Sequence, residues 1–439
     1  MEKKRVLVYP AGTEIGLEVA RSLQFSRHFE LIGANSIRDH SDILYPTLVD
    51  GMPTVADKEA LIAKILEVIA EYKVDVLYPA HDEVMELFSS IEQKGLTVIA
   101  PRESAAKVLR YKSATYKALE GADFLPEVVG TETFPRNFPL FARPDRGQGS
   151  VGVFRINSQE QLNEARKRGD FYLITEFLPG AEYTVDCFTD KDGNLLYLCA
   201  RERHRIRNGI CVRASESDSE EFKNIAAFIS SRIAVRGAWF FQLKRDKNGE
   251  LRLMEVANRV AGSMGYERLK GANLVQATLW DALGHAVDLP KPPKADFVYD
   301  RALYDGLRFP YRLDRLYVDL DDTLVFEDGS LNHELVGYIY GLKYNCHTEI
   351  LLLTRHKFNV ESTLSTYGLG NLFDRVLHIT DGRSKAEYIE GARVALVDDS
   401  FAERRAVSST HGNAICVGPE GQRILSGFLN SPSNTGDPS

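Results

Sequence analysis

The chain has 439 residues, with 54 basic against 62 acidic side chains and a formal net charge of −8 at pH 7. This length exceeds the size at which single hydrophobic cores stop growing, so we expect two or three compact units. The slightly acidic balance and the 44% hydrophobic content are typical of globular proteins and argue against general binding of nucleic acid or anionic membranes.

The cysteines and the N-terminal segment indicate the compartment. The five cysteines are scattered and never form a CxxC pair, so neither a disulfide framework nor a zinc knuckle is predicted. The segment "MEKKRVLVYPAG" runs into a short strand pattern, without an apolar stretch long enough for a signal peptide or a membrane span. We therefore expect a cytoplasmic protein.

Through residue 100, short apolar runs alternate with helical patterns, with helices expected near 15–23 and 60–72. This alternation predicts a parallel α/β unit. Beyond Lys112 the pattern changes to pairs of strands. The turn segments "DKDGN" and "DKNGE" between apolar runs predict antiparallel hairpins.

Residues 289–312 hold a Pro/Lys cluster without clear periodicity, which predicts a linker. Residues 313–428 contain four apolar runs that end in polar residues and are separated by helical stretches. This pattern predicts a small doubly wound parallel sheet. The polar, Pro- and Ser-rich residues 429–439 are predicted to be disordered.

The polar residues that end these four runs are candidates for chemistry, because ligands bind at the carboxyl ends of parallel strands. They are, in chain order, Asp319, Asp321, Thr354, Lys385, Asp398 and Asp399. Clustered carboxylates bind Mg²⁺, and a carboxylate beside a metal ion and a cation can attack a phosphoryl group. Acidic residues after buried strands are also common turn and N-cap residues, which is the alternative interpretation.

In order and spacing, these residues resemble the four motifs of the haloacid dehalogenase superfamily, and "DLDDT" matches its nucleophile motif. The resemblance implies a phosphatase with a Mg²⁺ site. It makes Asp319 the nucleophile and Asp321 the general acid/base. Phosphoryl binding is assigned to Thr354 and Lys385. Metal binding is assigned to Asp319, Asp321, Asp398 and Asp399. The stretch from Thr323 to Thr354 is short, so we expect no large cap domain and an open site.

The segment "RPDRGQGSVGV" places Gly147, Gly149 and Gly152 between two strand patterns. Such a loop can close its backbone N–H groups over phosphates. It matches neither the Walker A motif nor the Rossmann fingerprint. A glycine-rich hairpin turn is the alternative.

Together with "ITEFLPGAEYTVDCF" and "GAWFFQLKRDKNGELRLMEVANRVAG", this segment resembles the ATP-grasp fold, especially the branch of the carbamoyl-phosphate synthase large subunit. Upstream, "RVLVYPAGTEIGLEVARSL", "LYPAHDEVMELFSS" and "RYKSATYKAL" resemble the preceding biotin-carboxylase-like domain and the start of the ATP-grasp domain. The resemblance implies a Rossmann-like pre-ATP-grasp domain over residues 1–110 and an ATP-grasp domain over residues 111–288.

The resemblance also implies binding of ATP with Mg²⁺ or Mn²⁺, and it places Arg259 at the transferred phosphoryl group. ATP contacts are assigned to Lys112, Arg143, Gly147, Gly149, Ser150, Gly152, Glu176, Phe177, Leu178 and Glu182. Metal binding is assigned to Gln242, Glu255 and Asn258. Such a set suits γ-phosphoryl transfer, whose transition state is stabilised by positioned cations.

The sequence departs from the family pattern at two places. Arg143 stands where the family has lysine, which keeps the charge but replaces a point ammonium by a planar fork. The pattern Glu-x-Asn-x-Arg reads "EVANR" here, so Ala257 takes the place of the asparagine ligand and Asn258 follows it. A one-residue shift on a strand turns a side chain to the opposite face. Either a bulge brings Asn258 to the metal or the second Mg²⁺ site is weakened.

Two charged segments each allow two interpretations. The segment "CARERHRIRNGICVR" is either a solvated basic hairpin or an anion-binding loop, and its basic residues are Arg201, Arg203, His204, Arg205, Arg207 and Arg213. His81, Asp82 and Glu83 follow a strand, where they either contact substrate or cap the next helix.

We expect an ATP-dependent ligase that phosphorylates a carboxylate and passes the acyl group to an amine or similar nucleophile. The C-terminal unit is expected to hydrolyse a related phosphomonoester. The expected partners are therefore small molecules, and a homo-oligomer is left open. One alternative is a nucleotide sensor without turnover that gates the phosphatase. A carbamoyl-phosphate-forming enzyme is another, which the single ATP-grasp unit disfavours because that enzyme's large subunit carries two.

Overall fold

The computed structural model of the protein describes residues 2–130, 137–147, 151–168, 171–207, 209–290, 298–302, 309 and 311–429. The chain divides into two compact units, residues 1–302 and 303–439. Both units combine helices with β-sheets, so the expected mixed α/β, multidomain fold class is confirmed. Within these ranges, none of the helices has the length and apolar character that crossing a membrane requires.

The first unit begins with a five-stranded parallel sheet. Its strands are β1 (Lys4–Tyr9), β2 (Phe29–Ala34), β3 (Thr47–Val49), β4 (Val76–Pro79) and β5 (Thr97–Val98). They lie in the order β3-β2-β1-β4-β5. The helices that accompany this sheet are α1 (Glu14–Leu23), α2 (Lys58–Tyr72), α3 (Asp82–Phe88) and a short 3₁₀ helix (His40–Ile43). β4 and residues 6–9 of β1 are buried on both faces, which explains their continuous apolar sequences.

A three-stranded and a six-stranded antiparallel sheet follow in the same unit. The strands of the smaller sheet are β6 (Leu140–Pro144), β7 (Phe154–Ile156) and β8 (Tyr172–Glu176). The larger sheet contains β9 (Glu182–Thr189), β10 (Leu195–Arg207), β11 (Ile210–Ser217), β12 (Gly237–Arg245), β13 (Leu251–Ala257) and β14 (Val298–Asp300). The orders are β7-β6-β8 and β13-β12-β9-β10-β11-β14. The predicted turns "DKDGN" and "DKNGE" join β9 to β10 and β12 to β13, which confirms both hairpins.

Side chains along β12 alternate between the two faces of the six-stranded sheet. Ala238 and Phe240 pack in the same apolar cluster as Val8 of β1, whereas Trp239 and Phe241 pack in a second cluster. Successive strand residues point to opposite faces. One sheet therefore contributes to two cores. The helices of this region are α4 (Glu103–Arg110), α5 (Lys112–Ala118), α6 (Gln159–Lys167), α7 (Glu220–Arg232), α8 (Gly265–Leu269) and α9 (Leu274–Ala282).

Part of the predicted linker, residues 289–312, is structured. Residues Val298–Asp300 form β14, which pairs antiparallel with β11 through residues 213–215. The Arg301 guanidinium also forms an ion pair with Glu14 of α1. The prediction that all of residues 289–312 form a linker is therefore wrong for this strand. Main-chain hydrogen bonds to the edge of an existing sheet can order a short segment even when its side chains show no periodic pattern.

The second unit is built on a five-stranded parallel sheet. Its strands are β15 (Arg315–Val318), β16 (Glu349–Thr354), β17 (Arg375–His378), β18 (Val394–Val397) and β19 (Ile415–Val417). They lie in the order β17-β16-β15-β18-β19. The helices are α10 (His333–Cys346), α11 (Val360–Thr366), α12 (Phe401–Thr410), α13 (Ser426–Leu429) and two 3₁₀ helices, Lys385–Tyr388 and Pro419–Leu425. The predicted tail begins at Leu429, which ends α13, and residues 430–439 lie outside the described residues.

We predict that a fully buried ion pair stabilises the first unit. The Arg201 guanidinium donates to Asp186 at 2.8 Å, and both side chains are completely buried. In Arg201→Met, Asp186 would keep a buried charge without its cation. The free energy of unfolding, measured by urea denaturation, should therefore fall by about 3–5 kcal/mol.

The matched control is Arg213→Met, because the ion pair of Arg213 with Asp300 is more than half exposed. That pair should contribute no more than about 1 kcal/mol. Equal losses of stability in the two variants would contradict the prediction.

Candidate active sites

A cavity of about 200 Å³ opens in the first unit. It is lined by side chains from α5, β6, β8, β9, β10, β12 and β13. Nine of the residues predicted to contact ATP or its metal line this one cavity: Lys112, Arg143, Gly147, Glu176, Phe177, Leu178, Glu182, Gln242 and Glu255. Segments far apart in sequence thus converge as the resemblance implies. Gly149 and Ser150 lie outside the described residues.

Gln242 and Glu255 are directly opposite each other on the paired strands β12 and β13. Cross-strand partners point to the same face of a sheet, and both side chains line the cavity. An amide oxygen and a carboxylate oxygen are suitable ligands for Mg²⁺. The pair therefore fits a divalent cation on the cavity wall.

Lys112 and Arg143 bring positive charge to the cavity. The Lys112 ammonium donates to the carbonyl of Gly147 at 3.1 Å. Burial lowers the pKa of Lys112, the nearby Arg143 charge lowers it further, and the Glu255 carboxylate opposes both effects. Arg143 donates to the Met254 carbonyl at 2.9 Å and also to the Tyr116 hydroxyl. These bonds fix the guanidinium against the wall.

Two glutamates, Glu176 and Glu182, also line the cavity. Glu176 ends β8, and its carboxylate accepts from the N–H of Glu127 at 3.0 Å. Glu182 begins β9, and its carboxylate accepts from Arg203 at 2.8 Å while Lys244 lies 3.5 Å away. Arg203 thereby orients the carboxylate that the resemblance assigns to the ribose hydroxyls.

Arg259 lines a smaller cavity of about 30 Å³ that shares Lys112, Gly147 and Glu255 with the first. Its Nη2 donates to one carboxylate oxygen of Asp82 at 2.8 Å, and its Nε donates to the other. Burial alone would raise the pKa of Asp82, but the charge and hydrogen bonds of Arg259 outweigh it and lower that pKa to about 2. The arginine predicted to face the phosphoryl group is therefore held by an acidic partner that the sequence left unassigned.

Asn258 is not placed to bind a metal ion together with Gln242 and Glu255. Its amide oxygen accepts from the N–H of Arg236 at 2.9 Å, and its amide nitrogen donates to the carbonyl of Arg236 at 2.6 Å. The register shift between β12 and β13 lies between Gln242 and Leu243, so no bulge turns Asn258 toward the cavity. The structure therefore gives no support to the predicted metal role of Asn258, which follows the last residue of β13 and pairs with Arg236 through both amide atoms.

His81, Asp82 and Glu83 serve as structural partners. The His81 ring nitrogen Nδ1 accepts from the N–H of Glu83 at 3.3 Å and caps α3. Glu83 forms ion pairs with Arg146 and with Arg110, the latter at 3.4 Å. Of the two interpretations left open by the sequence, the structure shows capping for His81, and contact with substrate stays a prediction. The two acidic residues also tie α3 to the cavity region.

The basic segment of β10 and β11 is divided between buried and exposed side chains. Arg201 and Arg203 are buried with carboxylate partners. Arg205 and Arg207 are exposed near the turn, and Ile206 between them lines the large cavity. The interpretation as a solvated hairpin is therefore wrong for two of its five arginines, because the neighbours of these two supply compensating charge.

In the second unit, the predicted residues meet at the carboxyl edge of the parallel sheet. Asp319 follows β15, Thr354 ends β16, and Asp398 follows β18. Oxygen atoms of Asp319, Asp398 and Asp399 lie within 4.8 Å of one another. Three converging carboxylates fit a Mg²⁺ ion. This is the candidate metal centre of the described residues.

Lys385 lies between two of these carboxylates. Its ammonium is 2.9 Å from Asp319 and 2.6 Å from Asp398, and all three side chains are buried. Burial raises the pKa of Asp319, and Lys385 offsets only part of that rise. Burial would lower the pKa of Lys385, but the two carboxylates raise it. The lysine is therefore held as a cation beside the predicted nucleophile.

The Asp321 side chain lies outside the three-carboxylate group, which corrects its predicted side-chain role in metal binding. Both of its oxygens instead contact the ring nitrogen Nδ1 of His356, at 2.8 and 3.0 Å. His356 is not among the site residues predicted from the sequence. Its position two residues after Thr354, at the end of a parallel strand, was the available signal.

The segment between Thr323 and Thr354 contains a short bridge between Val325 and Leu331, followed by α10 and β16. No additional domain is inserted there, within residues that the structure describes throughout. This segment therefore contains no large cap domain, and the open site stays a prediction.

Comparison with known proteins bears on the first unit. A family model described as "ATP-grasp in the biosynthetic pathway with Ter operon" matches residues 170–302. D-alanine–D-alanine ligase B of Pseudomonas syringae pv. tomato is 26% identical over 168 residues, which are 32% of this chain and 50% of that enzyme. The chain spans half or less of the length of the curated relatives it matches.

Solved structures extend the likeness. One similar structure is the biotin carboxylase domain of Hydrogenobacter thermophilus 2-oxoglutarate carboxylase, solved with magnesium ADP, ADP and bicarbonate. Its TM-score is 0.53 at 18% identity, and the match covers 65% of this chain and 71% of that one. N5-carboxyaminoimidazole synthetase of Staphylococcus aureus, solved with ADP, has a TM-score of 0.53 at 15% identity. The match covers 66% of this chain and 79% of that one. These findings confirm the ATP-grasp fold. The family model lies wholly in the first unit, so the phosphatase expectation for the second stays a prediction.

The pair formed by Asp82 and Arg259 predicts a pH dependence of stability. The pKa of Asp82 is lower in the folded protein, about 2, than the ordinary value of about 4. Its stabilising contribution is therefore complete above about pH 4 and is lost as the pH falls toward 2. We expect Asp82→Asn to lower the free energy of unfolding at pH 7 by up to about 2 kcal/mol.

Urea denaturation of both proteins across this pH range measures the effect. The difference between wild type and variant should shrink from pH 4 downward. A difference that stays constant with pH would contradict the assigned pKa.

Proposed function

We propose that this chain, whose first unit has the ATP-grasp fold, is an ATP-dependent ligase that joins a carboxylate to an amine or similar nucleophile. The observation that carries the proposal is the convergence of nine predicted ATP or metal contacts on one cavity. Five chain segments supply those contacts, so their meeting is not a consequence of sequence proximity. The likeness to D-alanine–D-alanine ligases supports the same reaction class.

The proposed reaction begins with ATP in the large cavity. An oxygen of the acceptor carboxylate attacks the γ-phosphorus, the bond to the β–γ bridging oxygen breaks, and ADP leaves. The amine then attacks the acyl carbon, the amine loses a proton, and inorganic phosphate departs. Lys112 and Arg259 supply positive charge where negative charge accumulates on the phosphoryl oxygens.

Gln242 and Glu255 would hold Mg²⁺ in this unit. When bound, the ion neutralises phosphate charge. Ala257 offers no ligand, and the amide of Asn258 is occupied by Arg236. This favours a metal site with fewer protein ligands than the family pattern. It also keeps a nucleotide sensor without turnover as the second candidate.

The ligase proposal predicts metal-dependent ADP release with a matching carboxylate and amine. Lys112→Met should lower kcat/KM for ATP by about 10²–10³-fold, because a preorganised cation is lost from the phosphoryl site. The measurement is a coupled ADP assay over mixtures of candidate carboxylates and amines.

Lys117→Met is the control, since Lys117 is exposed in the last turn of the same helix α5. Tight binding of a fluorescent ATP analogue without ADP release in any mixture would favour the sensor. Absence of nucleotide binding would overturn both interpretations of the cavity.

We further propose that the second unit is a Mg²⁺-dependent phosphatase acting on a phosphomonoester related to the ligase substrate. The cluster of Asp319, Asp398, Asp399 and Lys385 favours this candidate. The three carboxylates would hold Mg²⁺, which screens charge on the phosphoryl group when bound. Fusion of the two activities would raise the effective concentration of a shared intermediate.

In the proposed hydrolysis, a carboxylate oxygen of Asp319 attacks phosphorus and the bond to the ester oxygen breaks. Asp321 gives its proton to that oxygen, so the alcohol leaves. Water then attacks the phosphorus of the aspartyl phosphate and gives a proton to Asp321, while the bond from phosphorus to the Asp319 oxygen breaks and inorganic phosphate leaves. Lys385 keeps Asp319 and the phosphoryl oxygens from repelling each other.

Asp319→Asn should reduce hydrolysis of an aryl phosphate by at least about 10³-fold, because the neutral amide oxygen cannot replace the anionic carboxylate oxygen that attacks phosphorus. Binding of a fluorescent ATP analogue should not change. Asp314→Asn is a matched control, since Asp314 is exposed and immediately precedes β15. Undiminished hydrolysis in Asp319→Asn would overturn the phosphatase assignment.

A further inference from the structure

His356 is a buried histidine that links a helix of the second unit to the edge of the sheet. Its side chain is 6% exposed, whereas that of its partner Asp321 is 54% exposed. On the other side of the ring, Nε2 lies 2.9 Å from the hydroxyl of Thr363 in α11. The ring therefore spans the distance from α11 to the Asp321 carboxylate.

The main chain of His356 is fixed as well. Its N–H donates to the hydroxyl of Thr354 at 3.2 Å, and its carbonyl accepts from the ring of His378 at 2.8 Å. Thr354 is the residue predicted to bind phosphoryl oxygens. A histidine held at both main-chain groups and at both ring nitrogens has little rotamer freedom, so it presents Nδ1 at a defined point.

We propose that His356 is a positioning residue that holds the Asp321 carboxyl group in place as general acid and base. The inference rests on the proposed phosphatase function. A half-exposed aspartate would otherwise exchange among several rotamers. A general acid must stay within hydrogen-bond reach of the atom it protonates. With the Thr363 hydroxyl donating to Nε2, Nδ1 carries the proton and donates to Asp321.

This role makes a prediction that a purely structural cross-link does not. Protonation of the ester oxygen matters greatly for an alkyl phosphate, whose alkoxide is a poor leaving group, and little for 4-nitrophenyl phosphate, whose phenolate leaves unaided. The value of kcat/KM includes only steps through loss of the alcohol, so it isolates the acid step from the later attack of water.

The test compares His356→Leu and His356→Asn on both esters. In His356→Leu, kcat/KM for the alkyl phosphate should fall about 10–100-fold, part of the 10²–10⁴ that general acid–base catalysis contributes. For 4-nitrophenyl phosphate it should change by less than about threefold, because no proton is required. His356→Asn keeps an N–H donor near the position of Nδ1 and should recover most of the loss on the alkyl ester.

Two controls accompany the variants. His333→Gln alters an exposed histidine at the start of α10 and should behave as wild type. Calorimetric titration with Mg²⁺ should give the same affinity in wild type and in His356→Leu, because the three converging carboxylates are untouched. Thermal unfolding shows whether each variant is folded.

The outcomes separate the two proposals. Equal losses on both esters in a folded variant would overturn the positioning role while leaving the phosphatase intact. Failure of the wild-type chain to hydrolyse either ester would overturn the phosphatase and the inference with it. A selective loss on the alkyl ester, recovered by His356→Asn, supports the positioning role.

Discussion

A charged side chain can be buried only where its neighbours compensate the charge, and both units are organised around this constraint. In the first unit, Arg201 and Arg259 are each matched by a carboxylate from another element. In the second, one lysine lies between two buried carboxylates. The charges that chemistry requires are thus held in fixed positions by partners that also join the elements of the fold.

The same constraint explains how the two candidate sites differ. The large cavity of the first unit presents charge along a wall to which two sheets contribute. The carboxylates of the second unit converge on one point at the edge of a single sheet. An extended wall suits a long polyphosphate that must be laid out, whereas a convergent cluster suits one phosphoryl group that must be attacked.

Much of this organisation could be predicted from the sequence, because it depends on local patterns. Hairpins were marked by "DKDGN" and "DKNGE", and the carboxyl ends of parallel strands identified Asp319, Thr354 and Asp398. Such signals report secondary structure and the edge at which side chains gather. They also identified most of the residues that line the cavity for which we propose ATP binding, through motifs whose residue types suit phosphate chemistry.

The failures share a physical cause, which is dependence on partners distant in sequence. The amide of Asn258 is occupied by the main chain of Arg236, and Arg259 is held by Asp82 at the start of α3. His356 gains its role only because Asp321 and Thr363 meet at its ring. No local pattern encodes these pairings, since each depends on how separate elements pack.

The short strand β14 has a consequence for the integrity of the six-stranded sheet. It covers the outer edge of β11, whose main-chain groups would otherwise face water. An exposed strand edge is a template for pairing with another chain. A fragment of the first unit that stops before Val298 would therefore keep its cavity residues but leave residues 213–215 of β11 without their pairing strand, as a place where another chain can add a strand.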